Sequence, residues 1–316
     1  MSVPVIYFMD GYNHYTDLSL KYNSQYGNNQ ASAYATAPAI SSTAARNGAG
    51  GLLLTNGGLV YKTLPDLTTM GIGFSFRFTT NPPAGGRRMI SLRDEGVENL
   101  YLYLTSARHI SIINHAGASL GTSSATFNVN TWYFLEFSVT FGASGSYSLK
   151  LDNTQDISAS GVATNGTSSN RCNFLQMGAS ALGNYPFHYD DLYVSDGSLI
   201  GPVYVDDPPN SGTYPVTSPS ASNSQVNLTD FIDLSGSGAV FAVAVHTPAH
   251  KQYGNTRAIR NVIAISGAGT QYVGSDHYLT TTDFYHSDIF STNPNTAGTW
   301  TVPTFNSAQI GFVRIK

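Results

Sequence analysis

The stretch GIGFSFRF, at Gly71–Phe78, alternates between two kinds of side chain: its even-numbered positions are large and apolar, and its odd-numbered positions are Gly, Ser and Arg. Thr131–Phe141, TWYFLEFSVTF, repeats this period of two, and the turn GASG leads into a returning stretch, Ser146–Leu151. A period of two is typical of a half-buried strand, because successive strand side chains point to opposite faces. The stretches predict strands, and the last two predict a hairpin.

Similar alternation recurs at a spacing of roughly ten residues, and no window shows a strong helical stripe. The best helical candidates are single turns near Leu64–Thr69 and Asn255–Val262. The chain is therefore predicted to be all-β, with an antiparallel sandwich at residues 1–200 and a smaller β-rich module at 201–316. A Pro/Ser-rich linker is predicted at about 206–226.

Composition narrows the class of protein. Only 11% of the 316 residues are charged and the net charge is −4, with no basic run. A nucleic-acid-binding protein needs clustered basic residues to contact the phosphates, and this sequence has no such cluster. The single cysteine, Cys172, excludes an intrachain disulfide and is expected to lie in the core. No apolar run is long enough to predict membrane insertion.

Several short motifs follow one another along the chain. They are FMDGY at Phe8–Tyr12, RNG at Arg46–Gly48, NTWYFLE at Asn130–Glu136, YDDLYV at Tyr189–Val194, LIGPVYV at Leu199–Val205, and the terminal Trp300–Thr301 and Gln309–Phe312. In this order they resemble the concanavalin A-like (laminin-G-like) domains of tailed-bacteriophage virion proteins. The resemblance covers nearly the whole chain and implies a jelly-roll sandwich followed by a C-terminal docking module.

The resemblance also implies a function. It suggests a structural protein of the tail, baseplate, collar or capsid decoration that acts by protein–protein assembly and has no known active site. The expected partners are other virion proteins and copies of the chain itself. The expected location is the virion, assembled in the host cytoplasm, and the chain is predicted not to be an enzyme.

Glycoside hydrolysis is the enzymatic alternative, since glucanases share this kind of sandwich. A retaining enzyme needs two carboxyl groups about 5 Å apart. The closest match is Asp94–Glu98, with Glu95 and Glu98 as candidates, but its spacing is unsuitable and Gly96 indicates a hairpin turn.

A structural calcium ion is the cofactor weighed for this sequence. Asp10, Asp190 and Asp191 would supply carboxylates if the first and last strands were neighbours. In the alternative, Asp191 pairs with an arginine such as Arg46, and Asp10 holds the turn at Gly11.

A host-surface glycan is the alternative partner, in a receptor-binding or adhesion role. Aromatic and amide side chains on loops suit sugar binding and equally suit subunit contacts. The candidates for either contact are Tyr12, Asn13, His14, Tyr15, Tyr22, Tyr26, Tyr185 and His188.

Two histidine groups near the C-terminus are weaker candidates for metal binding. His246 and His250 have a spacing that suits a helix, but Pro248 prevents one. Asp276, His277, Asp283, His286 and Asp288 lack regular spacing, which favours an exposed polar loop.

Overall fold

The computed structural model describes residues 4–12, 27–28, 38–46, 50–55, 58–178, 185–203, 205, 226–230, 239–249, 251, 256–265, 271–281 and 284–315. They fall into two compact units. One comprises the described residues between Tyr7 and Pro209, and the other those between Asn210 and Lys316 together with residues 4–6. The strand Ile6–Asp10 is described with the first unit, to which all but its first residue belong. The division between Pro209 and Asn210 lies C-terminal to the domain boundary predicted at residue 200. The predicted linker lies outside the described residues except for Val226.

The first unit is a sandwich of antiparallel strands, which confirms the predicted fold class. Its strands are β1 Ile6–Asp10, β2 Gly27–Asn28, β3 Ala39–Ser41, β4 Gly51–Leu54, β5 Leu59–Leu67, β6 Thr69–Phe78, β7 Arg87–Asp94, β8 Val97–Leu104, β9 Ile110–Asn114, β10 Ser119–Thr122, β11 Tyr133–Thr140, β12 Gly145–Leu151, β13 Thr154–Val162, β14 Cys172–Gly178 and β15 Phe187–Ser195.

Two sheets form this sandwich. An eight-stranded sheet runs β13-β12-β11-β6-β15-β4-β3, with β1 also paired to β15. A seven-stranded sheet runs β10-β9-β8-β7-β14-β5-β2. The inner faces meet in an apolar core, in which the hydroxyl of Tyr189 on β15 donates to the Met89 carbonyl on β7 at 3.0 Å. Cys172 lies in the core, as predicted.

The predicted hairpin is β11 and β12, in which Val139 faces Tyr147 and Phe137 faces Leu149. The inward assignment of the alternating aromatic residues is confirmed, since Phe74, Phe76 and Phe137 are fully buried. Both predicted helical turns are wrong. Residues 64–69 lie mainly in β5, and 258–262 lie in β18 (Ala258–Ile265), because cross-strand pairing outweighs a weak local helical preference.

The chain that leaves β15 covers part of the outer face of the eight-stranded sheet, at β6 and β11. Gly73 lies opposite Tyr193, whose ring occupies the space where a Cβ of residue 73 would lie. Glu136 points to this same face, but it is fully buried rather than exposed as its outward position suggested. Its Oε1 accepts from the Tyr193 hydroxyl at 2.5 Å and from the Gly201 amide at 2.7 Å.

The second unit is also β-rich. Its elements are β16 Val226–Asp230, β17 Val243–Ala249, β18 Ala258–Ile265, β19 Gln271–Val273, β20 His277–Tyr278, β21 Phe284–Phe290, a short helix α1 Val302–Asn306, and β22 Ala308–Arg314. A five-stranded sheet contains β16, β22, β18, β19 and β20, and β17 pairs with β21. Trp300 is buried among Val243, Ile263 and neighbouring apolar residues. None of the described helices is long and apolar enough to cross a membrane.

Candidate functional site

The paired aspartates of β15 form a buried network at the outer side of the eight-stranded sheet. Asp191 lies at a bulge with φ of 53°, and its Oδ2 accepts from Arg46 Nη1 at 3.1 Å and from the Ser75 hydroxyl at 2.8 Å. Its Oδ1 accepts from the Val205 amide at 3.0 Å. Asp190 Oδ2 accepts from the Arg46 amide at 2.7 Å. The burial of Asp191 raises its pKa in spite of these partners.

The calcium site predicted at Asp10, Asp190 and Asp191 is not formed. Among the residues that the structure describes, no group of three or more acidic, histidine or cysteine side chains is placed to hold a metal ion. Asp191 instead pairs with Arg46, and Asp10 Oδ1 accepts from the Tyr12 amide at 2.8 Å across the Gly11 turn. A guanidinium supplies the positive charge that a cation would otherwise bring.

Asp10 also lies near an unusual lysine. Lys62 is on β5, and its Nζ lies 4.5 Å from the centre of the Phe8 ring. Burial lowers the pKa of Lys62 to about 8, against the opposing effect of the Asp10 charge.

The described members of the predicted glycan or subunit contact are not at the surface. Tyr12, Tyr185 and His188 are only 0%, 6% and 5% exposed. Tyr12 extends across the core, where its hydroxyl approaches Met177 Sδ at 3.7 Å. Tyr185 packs against Phe187, with ring centres 5.1 Å apart. These three assignments are corrected, because each of the three side chains is enclosed by residues of the sandwich itself. Asn13, His14, Tyr15, Tyr22 and Tyr26 lie outside the described residues.

The outer face of the seven-stranded sheet gathers polar and aromatic side chains that were not predicted as a site. We call this surface the β7 face. Its members are Tyr61 on β5, Arg88, Ser91 and Arg93 on β7, Glu98, Tyr101 and Tyr103 on β8, and Phe174 and Gln176 on β14. The register places Tyr61, Gln176, Ser91 and Tyr101 in one row across four adjacent strands.

The centre of the β7 face is polar. Arg93 Nη1 donates to Gln176 Oε1 at 2.9 Å, and Arg93 Nη2 donates to the Gly96 carbonyl. Ser91 Oγ and Arg93 Nε are buried, and neither has a hydrogen-bond partner in the part of the chain that the structure describes. Buried polar groups in proteins normally have hydrogen-bond partners, so both groups are free to donate a hydrogen bond to a bound ligand.

Aromatic rings flank this polar centre on both sides. Tyr61 and Phe174 stack with ring centres 4.7 Å apart. On the other side, the Arg88 guanidinium lies 3.9 Å from the centre of the Tyr101 ring and pairs with Glu98. All four rings of the face are partly exposed. Rings beside hydrogen-bonding groups suit sugars, which present both apolar ring faces and hydroxyls.

The two carboxylates weighed for glycoside hydrolysis have separate roles. Glu95 lies in the turn between β7 and β8, as its neighbour Gly96 indicated, and pairs with Arg171. Glu98 pairs with Arg88.

In the second unit, the structure brings part of the acidic and histidine group together. His277 Nε2 lies 2.7 Å from Asp288 Oδ2, and the His277 and His286 rings are 5.1 Å apart. Asp276 pairs with Arg260 instead. His246 Nδ1 lies 2.6 Å from the Ser287 hydroxyl, whereas His250 and Asp283 lie outside the described residues.

Comparison with known proteins yields similarity in fold. No family model and no curated protein matches the chain. Among solved structures, a cellulose-induced protein is similar with a TM-score of 0.47 and 11% identity, over 60% of this chain and 97% of the other. The endo-β-1,4-glucuronan lyase of Trichoderma reesei has a TM-score of 0.42 and 12% identity, over 55% and 92%. An alginate lyase has a TM-score of 0.42 and 14% identity, over 61% and 97%.

The prediction that the chain is not an enzyme is corrected, since the similar structures include a glucuronan lyase and an alginate lyase. At these identities and TM-scores the similarity assigns no activity to this chain. One fold can serve both binding and catalysis, so function has to be argued from the site.

Proposed function

We propose that this chain is a structural protein of a bacteriophage particle and that its sandwich binds carbohydrate through the β7 face. The observation that carries the binding role is the row of Tyr61, Gln176, Ser91 and Tyr101 across adjacent strands. Strands hold such side chains more rigidly than loops do, which lowers the entropy lost on binding. The row spans about 14 Å, from three interstrand spacings of about 4.8 Å, which suits an extended saccharide.

The virion role is supported by the residues on which the family resemblance rests. Arg46, Asp191 and Val205 come from three separate motifs, and they meet in one buried network around Ser75. The motifs therefore belong to a single architectural unit, as expected if they mark one kind of domain.

The virion role is tested by locating the protein. Purified particles of the phage that encodes the chain are analysed by mass spectrometry and by electron microscopy with a gold-labelled antibody. We expect the chain in the particles at a fixed position and a constant copy number. Its absence from washed particles, with the protein abundant in the lysate, would contradict the virion role.

The binding role is tested with Tyr101→Ala in the full-length chain. Loss of one flanking ring should weaken binding to a retained glycan about five- to tenfold, because an aromatic contact contributes about 1–1.4 kcal/mol. Binding is measured on a glycan array and then by calorimetry. Tyr7→Ala is the matched control, since Tyr7 is a 36% exposed tyrosine on β1 of the other sheet. Equal binding by wild type and Tyr101→Ala would exclude the β7 face.

A further inference from the structure

The β7 face contains a guanidinium whose charge is not balanced by a carboxylate in the described part of the chain. Arg88 pairs with Glu98, and Arg171 pairs with Asp94, Asp66 and Glu95. Arg93 differs from both, since its Nη atoms donate to an amide oxygen and a backbone carbonyl, which are neutral acceptors. A partly buried guanidinium with neutral partners favours an added anion.

Two unpaired donors lie beside this charge. Ser91 and Arg93 are two residues apart on β7, so their side chains point to the same face at about 7 Å along the strand. Ser91 Oγ and Arg93 Nε both lack a hydrogen-bond partner in the described chain, and Ser91 is 0% exposed. An oxyanion accepts hydrogen bonds from both kinds of donor, whereas a neutral sugar hydroxyl does not balance the charge.

The neighbouring side chains indicate what kind of molecule bears such an anion. Ser91 lies between Gln176 and Tyr101 in its row, and Phe174 lies opposite Arg93 on the neighbouring strand. Glu98 lies opposite Arg93 on β8, and its carboxylate pairs with Arg88. An oxyanion bonded at Ser91 and Arg93 therefore has one ring on each side, Tyr101 on β8 and Phe174 on β14. A sugar ring that carries the anion can pack against them.

From these contacts we propose that the β7 face selects saccharides that carry a carboxylate or sulfate group, and that Ser91 and Arg93 hold this group. The inference rests on the proposed carbohydrate-binding function and adds the chemical class of the ligand.

The test uses the full-length chain on an array of paired glycans. Each uronate, sialylated or sulfated glycan is printed beside its methyl-esterified or desulfated form, so that the two members of a pair differ only at the anionic group. We expect binding to charged members and its loss in their neutral partners. Binding confined to carboxylates or to sulfates identifies the source of the anion. Equal binding to charged and neutral partners overturns this inference but leaves carbohydrate binding standing. A blank array overturns both.

Variants assign the effect to Arg93. Arg93→Gln should weaken binding to the charged glycan about 10- to 100-fold, the effect of losing a hydrogen bond to a charged group. Arg93→Lys keeps the charge and should retain part of the affinity, and Ser91→Ala should give a smaller loss. Arg257→Gln, the same change in the second unit, should have no effect. The circular dichroism spectrum and melting temperature confirm that each variant is folded. Unchanged binding by folded Arg93→Gln overturns the assignment.

Discussion

His188 shows at the scale of a residue how burial changes the chemistry of a side chain. Its Nδ1 lies 3.2 Å from both the Thr43 carbonyl and Arg77 Nη2. Burial, and then the charge of Arg77, lower the pKa of His188 from 6.5 to about 4. The folded protein therefore holds this histidine neutral, and the unfolded chain protonates it more readily.

This difference predicts a loss of stability in mild acid. A folded-state pKa below the unfolded one gives a stabilising contribution that is present above pH 6.5 and is lost as the pH falls towards 4. Between pH 7 and pH 5 the sandwich should lose about 2 kcal/mol of unfolding free energy through His188. Urea unfolding at the two pH values measures this change.

The matched variants are His188→Gln and His115→Gln. His188→Gln should remove this part of the pH dependence, whatever its effect on stability at pH 7. His115 is exposed, so its replacement should leave the pH dependence unchanged. The same pH dependence in wild type and His188→Gln would show that the histidine is not held neutral.

At the scale of an element, strand β6 needs large apolar side chains on its inner face and glycines at two positions of its outer face. Its inner face carries Phe74, Phe76 and Phe78, which fill the core. Its outer face carries Gly71 and Gly73, because the chain around Ser195 and the Tyr193 ring lie directly against the strand. The glycines of GIGFSFRF thus serve close packing.

We predict that Gly73→Ala destabilises the sandwich by about 1–3 kcal/mol, the usual cost of an overpacked site. The added Cβ would overlap the Tyr193 ring and displace it from Glu136. Gly85→Ala is the control, since nothing lies within 4 Å of a Cβ at that position. Thermal unfolding compares the variants. A melting temperature equal to that of wild type would show that Tyr193 moves without penalty.

At the scale of the whole molecule, residues that follow β15 are part of the sandwich. The amides of Gly201 and Val205 donate to Glu136 and Asp191, both of which are buried carboxylates. A sandwich that ends at residue 200 therefore leaves two buried acceptors without these donors.

Two shortened chains test this boundary. A chain that ends at Pro209 should be more stable than one that ends at Ile200 by about 2–6 kcal/mol, because each of the two unsatisfied buried groups costs about 1–3 kcal/mol. Denaturant unfolding of the two purified chains provides the comparison. Equal stability would mean that water replaces both amides.

The sequence by itself determined the strands and their buried faces. A period of two assigns every second residue of β6, β8 and β11 to the core. The same pattern places Tyr101 and Tyr103 on the face of β8 that points away from its buried leucines. This assignment needs only local alternation, since successive side chains of a strand point to opposite sides. The sequence also offered, as an alternative to calcium binding, the pairing of Asp191 with Arg46 and the turn held by Asp10, both of which the structure contains.

Only the tertiary structure decided which outward side chains of the eight-stranded sheet are buried and which side chains meet on the outer face of the seven-stranded sheet. Glu136 and His188 alternate as outward residues do, yet other parts of the chain bury them. Tyr61, Ser91, Tyr101 and Gln176 are far apart in sequence and become one row through strand order and register. Local periodicity does not specify that order, because register depends on the packing of both faces across the whole sheet.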